Sequence, residues 1–137
     1  MRETRTHLSL RIVDPMHSTG AATVDTTPGS ATWTPVIAAA RLHADQGRCV
    51  LVSGVQIAIF RITDFDELFA LSNLDPFSNA AVISRGLVGS VGGELKVSSP
   101  LYKQSFSLDT GICFDDPTVS LTTYDVRERN GIIEVLV

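Results

Sequence analysis

A chain of 137 residues, 44% hydrophobic and 19% charged, has the make-up of one globular domain; two separate cores would each be too small to stand alone. Eleven Lys and Arg against fifteen Asp and Glu give a net charge of −4, which argues against the basic surface that nucleic acid or an anionic membrane requires. Ser53, Gly54 and Gln56 interrupt Val50 to Ile59, and Arg11 interrupts Leu8 to Val13, so neither a membrane span nor a secretory segment is expected and the default compartment is the cytoplasm.

In chain order, residues 1–32 read as a mobile extension. Ser18 to Thr34 is dominated by Ser, Thr, Ala, Gly and Pro, too little apolar surface to offset the entropy of ordering it. Leu8, Leu10, Ile12 and Val13 could form a short strand, but nothing beside them completes a sheet. Residues 33–137 read as the folded domain. Val36 to Asp45 is alanine-rich but hemmed by Pro35 and Gln46-Gly47, leaving room for one helical turn near Leu42. Arg48 to Val52 and Val55 to Ile62 flank Ser53-Gly54 as a tight hairpin, and Leu68 to Ser72 follows an acidic turn. A second helical turn fits near Ala80 to Val82, and the glycines at 86, 89, 92 and 93 read as a flexible hairpin or bulge. Glu94 to Ser98 and Ser105 to Leu108 alternate polar and apolar, followed by a turn at Asp109-Thr110-Gly111. Thr122 to Arg127 alternates with Tyr124 and Val126 inward; Asn130-Gly131 is the best type I′ signal in the chain, and Ile132 to Val137 closes it as a strand. The domain is therefore all-β with minimal helix.

Catalytic signatures are missing. The glycine-rich run has no following Lys-Ser or Lys-Thr to hold phosphate, and no helix is available for a dinucleotide. His7 and His17 lie in the extension, leaving His43 alone in the domain, too little for a hydrolytic triad. Cys49 and Cys113 are too few for a disulfide scaffold; each is alone in an apolar segment and reads as a buried inert thiol. Asp64, Asp66 and Glu67, and Asp115-Asp116, lack the spacing and glycine of a calcium loop. No active site is expected in this chain.

Two proline-bearing loops stand out: Asn73-Leu74-Asp75-Pro76-Phe77-Ser78, and Ser99-Pro100-Leu101-Tyr102-Lys103-Gln104, the second returning through Phe106 and Leu108 to Thr110-Gly111. This pattern resembles the Rieske fold, an antiparallel β-sandwich or barrel in which two such loops hold a [2Fe–2S] cluster through a Cys-x-His and a Cys-x-x-His pair. On that frame Asp75 and Phe77, then Ser99 and Tyr102, stand at the four ligand positions, and none is Cys or His. Two thiolates and two imidazoles are needed, so the resemblance implies a vacated site with no cofactor in this chain. The strings Ala58-Ile59-Phe60-Arg61, Ile83-Ser84-Arg85-Gly86 and Asp115-Asp116-Pro117, with the two loops, resemble the small subunit of NAD(P)H-dependent assimilatory nitrite reductase.

That resemblance implies an accessory chain without a cluster. Its large catalytic subunit would carry flavin, sirohaem and iron–sulfur centres and reduce nitrite to ammonium. Phe77, Leu101 and Tyr102 as apolar anchors, with Arg85 and Lys103 as charges, would form the docking surface. A competing expectation is that Phe77 and Tyr102 fill the vacated cluster volume. Two other readings are an electron-transfer ferredoxin, which fails on all four ligands, and a cluster-free Rieske-like binding module for another oxidoreductase.

Overall fold

The structure, a computed structural model, describes residues 31–63 and 67–137. Residues 1–30 of the expected extension, with the histidines at 7 and 17, and Asp64 and Asp66 of the acidic turn lie outside the described residues.

Twelve strands are present among the described residues. The middle of the fold is a four-stranded sheet containing β2 (Gly47–Val52), β3 (Val55–Ile62) and β4 (Glu67–Ser72) with β10 (Thr123–Tyr124), in the order β10-β4-β3-β2. Ser53 and Gly54 both take positive φ (51° and 81°), the conformation a type I′ hairpin demands between β2 and β3. β3 and β4 are apolar without interruption from Ile57 to Phe60 and from Leu68 to Leu71 because both of their faces are covered there. Ile57 and Ile59 of β3, with Leu68 and Ala70 of β4, enter one core; Ala58, Phe60 and Ile62, with Phe69 and Leu71, enter the other. Fully burying one such Phe or Ile is worth about 1.5–3 kcal/mol.

The first core is closed by β1 (Trp33–Ala38), β11 (Val126–Arg129) and β12 (Ile132–Leu136), ordered β1-β12-β11, through Ile133, Val135 and Val126. β1 is a strand where the sequence suggested only an alanine-rich segment. Its Pro35 is tolerated because β1 is an edge strand, and the register shifts between Pro35 and Ile37. Just ahead of it, Thr32 and Val137 exchange both backbone bonds (2.9 and 3.1 Å). Arg127 ties this layer laterally, bonding Glu134 at 2.7 Å while its guanidinium lies 4.0 Å above the Trp33 ring.

The second core is closed by β7 (Leu87–Val91), β8 (Glu94–Ser98) and β9 (Ser105–Ser107), which deliver Val88, Leu95, Val97 and Phe106. The glycine-rich run is thus a strand plus a hairpin, turning at Gly92 and Gly93 with φ of 56° and 86°. Beside this layer sit a small hairpin, β5 (Leu74–Asp75) and β6 (Ala80–Ala81), and a 3₁₀ turn at Ile83–Arg85. The second helical turn therefore falls a few residues after the position expected, because Ala80 and Ala81 pair back onto the first loop. The first, at Ala39–Arg41, falls just before Leu42, close to the expected place.

The alternation from Thr122 to Arg127 is also real but divided. The chain changes sheets at buried Asp125, so Tyr124 pairs with β4 and Val126 with β12. Gly111, at φ 79°, ends the Asp109-Thr110 turn with its backbone against the Leu121 carbonyl, where a Cβ would collide. Gly111→Ala is expected to cost about 2–4 kcal/mol from left-handed strain plus overpacking. Gly54→Ala, with a similar φ but open space around it, should cost only about 1 kcal/mol. Equal losses for the two in chemical denaturation would show that the collision at Leu121 is relieved for free.

Candidate functional site

The two proline-bearing loops meet where the central sheet ends. β4 runs into Asn73, which is buried and bonded on every side. Its Nδ2 donates to Gln56 Oε1 (3.1 Å) and Cys49 Sγ (3.4 Å), and its Oδ1 accepts from the Ser84 N–H (2.7 Å). Its backbone donates to Gln56 O and accepts from Ile83 N. One side chain thereby fixes the start of the first loop to β2, β3 and the 3₁₀ turn. The sequence reading gave Asn73 no role; its signal was an amide set directly after an apolar strand, where a buried polar group must find partners.

Two residues later Asp75 and, across the gap, Ser99 are both fully buried. Ser99 Oγ donates to Asp75 Oδ2 at 2.5 Å, joining the loops through a short charge-assisted hydrogen bond. Asp75 Oδ1 accepts the Phe77 N–H (2.9 Å), forming an Asx turn that sets the bend at Pro76. Burial pushes the Asp75 carboxyl up. Bonds from Ser99, Phe77 and Ser78 outweigh it, and the group ends below the usual carboxylate range. The second loop closes on itself: Ser99 N–H reaches Gln104 O at 2.8 Å and Lys103 N–H reaches Ser99 O at 3.1 Å, with Lys103 at φ 68°.

Of the four ligand positions, then, two are spent on each other. The other two diverge. Phe77 is half-buried and packs on the second core, its ring 6.1 Å from that of Phe106 and tilted by 42°. Tyr102 is 62% exposed and does not fill the interior, so only Phe77 follows the core-filling expectation. Leu101 is 49% exposed, and Arg85 and Lys103 are also exposed. No iron–sulfur ligand set exists here: a carboxylate bonded to a hydroxyl, a phenyl ring and an outward phenol do not offer two thiolates and two imidazoles. Among the described residues no three His, Cys, Asp or Glu side chains gather to hold a metal. Asp115 and Asp116 serve the backbone instead, accepting from Ser105 N (2.9 Å) and Thr118 N (3.1 Å). His43 is exposed.

The two cysteines separate. Cys113 is buried as expected, but Cys49 is exposed, because β2 is the edge of its sheet and only Val50 and Val52 turn toward a core. Partial desolvation by its neighbours raises the Cys49 thiol pKa, which favours the protonated thiol.

Residues 32–136 match the family described as the Rieske-like [2Fe–2S] domain. The NADH nitrite reductase small subunit of Salmonella typhimurium is 47% identical over 89 residues, covering 65% of this chain and 82% of that protein. This chain belongs to the nitrite reductase small subunits. The NMR structure of NirD from E. coli superposes on this member of the family with a TM-score of 0.72 at 37% identity, covering 78% of this chain and 97% of that one. A nitrite reductase [NAD(P)H] large subunit from Klebsiella oxytoca also contains a similar stretch, 45% identical over 80 residues, which is 58% of this chain and 8% of that protein. No helix among the described residues is long and apolar enough to cross a membrane.

Ser99→Ala in this small subunit should cost about 1.5–3 kcal/mol, since it strips a buried carboxylate of its strongest donor. Because the Asp75 pKa is lowered by folding, its contribution is complete above the ordinary carboxylate range. It is lost as pH falls below about 4 through the native pKa. Stability of the wild type should therefore fall more steeply over that acid range than stability of Asp75→Asn; parallel curves would remove Asp75 as the source.

Proposed function

We propose that this chain is the cluster-free accessory subunit of an NAD(P)H-dependent nitrite reductase. In this reading it docks on the large catalytic subunit through the tip formed by its two proline-bearing loops. The observation that carries it is the buried Asp75–Ser99 bond. Two of the four positions that would face a cluster are committed to joining the loops, and a third, Phe77, is packed on Phe106. What is left for function is an outward surface: Leu101, Tyr102 and Lys103 on the second loop, with Arg85 beside the first. Aromatic and aliphatic side chains ringed by polar groups are the usual makings of an interface centre, and Arg85 and Lys103 suit an acidic rim on the partner.

The Klebsiella large subunit supports the choice of partner, since a domain like this one occurs there within the same polypeptide as the large subunit. By the family resemblance the flavin, sirohaem and iron–sulfur centres belong to that subunit, together with the six-electron reduction of nitrite to ammonium. This chain contributes no reacting group; its effect on rate arises through binding. The cytoplasm is the corresponding compartment.

The test is nitrite-dependent nicotinamide oxidation by purified large subunit with and without this chain. Addition should raise the rate or the lifetime of the enzyme, and the purified small subunit should show no visible absorption. Tyr102→Ala and Lys103→Glu should each weaken association by about tenfold while remaining folded. Failure to bind or to alter turnover would end the accessory reading, and a coloured protein with iron and sulfide would restore the ferredoxin one.

A further inference from the structure

Among the described residues, Asp45, Ser53, Asn79, Lys103 and Asn130 take positive φ without being glycine. Asp and Asn are the residue types that tolerate the left-handed region, and Ser53 lies in a two-residue hairpin that demands it. Lys103, at φ 68°, is of neither kind. Its long side chain is exposed and forms no local bond to offset the steric cost. Its ammonium has no hydrogen-bond or ion-pair partner among the described residues. The backbone demand comes from closure of the second loop. Ser99 is pinned through Oγ to buried Asp75; Lys103 N–H then reaches back to Ser99 O, and Ser99 N–H reaches Gln104 O. Turning the chain through that closure takes a left-handed residue just before Gln104, where glycine would meet no steric penalty. A lysine stands there instead. Strain kept at an exposed side chain with no partner in its own chain points to a use for that side chain outside it.

We infer that Lys103 is the charged anchor of the loop tip, holding a carboxylate on the large subunit, and that the loop bears its left-handed backbone for that contact. This rests on the accessory-subunit reading and names the chemistry of the partner surface. The buried Asp75–Ser99 bond and the closure bonds around it fix the Lys103 backbone before association. Only the side chain then has freedom to lose when the ammonium meets its partner, and a preorganised contact of this kind costs least to make.

Two variants separate stability from binding. Lys103→Asn removes the charge but accepts the left-handed backbone, and unlike glycine it adds little freedom to the unfolded chain. In chemical denaturation of the full chain it should unfold at or above the wild-type midpoint. Its affinity for the large subunit carrying its cofactors should nevertheless fall by about tenfold. Lys103→Arg keeps the charge and should bind within about threefold of wild type. Wild-type affinity should also drop more steeply with added sodium chloride than that of Lys103→Asn, a difference that a merely structural lysine would not produce. Lys103→Asn binding within about threefold of wild type, with the same salt dependence, would overturn this inference and leave loop-tip docking by Leu101 and Tyr102 standing. An unfolding midpoint below wild type for Lys103→Asn would overturn it too, since the backbone would then hold no strain. A loss in Lys103→Arg as large as that in Lys103→Asn would do the same, because charge would not be what binds. No complex with the wild type would overturn the accessory reading, and this anchor with it.

Discussion

Strands β3 and β4 have no solvent-facing side over most of their length, and that constraint orders the rest of the molecule. A sheet buried on both faces needs two covers. One is supplied by the two ends of the domain, β1 before it and β11–β12 after it; the other by the middle of the chain, β7–β9. Of the loops that carry the candidate site, the first leads toward that second cover and the second joins β8 to β9 within it. They sit where apolar packing is giving out, so polar bonds must finish the joint. Asn73 does so at the sheet, and Asp75 with Ser99 does so between the loops.

A cluster would hold two such loops by ligation. Here an ionised carboxylate and a hydroxyl join them directly. Such a group is tolerable in a buried position only because it accepts from Ser99, Phe77 and Ser78 together. Phe77 complements this by presenting a ring to Phe106. The two loops are thus joined by side chains bonded to each other or packed on the core, while Leu101, Tyr102 and Lys103 stay outward.

Much of this could be read from the sequence where a local rule applies. Ser53-Gly54 and Asn130-Gly131 announce hairpins because only certain residues accept positive φ, and both are hairpins. The continuous apolar runs of β3 and β4 and the two proline-bearing loops were equally plain. β1 was not, because Pro35 and a run of alanines mask a strand that gets its partner from the far end of the chain. The exposure of Cys49 depends on β2 being last in its sheet, which is a tertiary fact with no local signature. Phe77 and Tyr102 differ for a related reason: irregular loops have no period from which inward and outward positions can be told. Asn73 was visible as a residue, but its partners come from three separate segments.

The reciprocal pairing of Thr32 with Val137 has an architectural consequence. The two ends of the domain lie side by side, so a longer polypeptide can leave through one and return through the other at nearly the same point on its surface. Such a module can be spliced into a host chain, or carried as a separate one, with little change to either fold. A similar stretch makes up 8% of the Klebsiella large subunit, so a sequence of this kind also occurs within a longer polypeptide. Closeness of ends makes the difference between one polypeptide and two a matter of linkage rather than of shape.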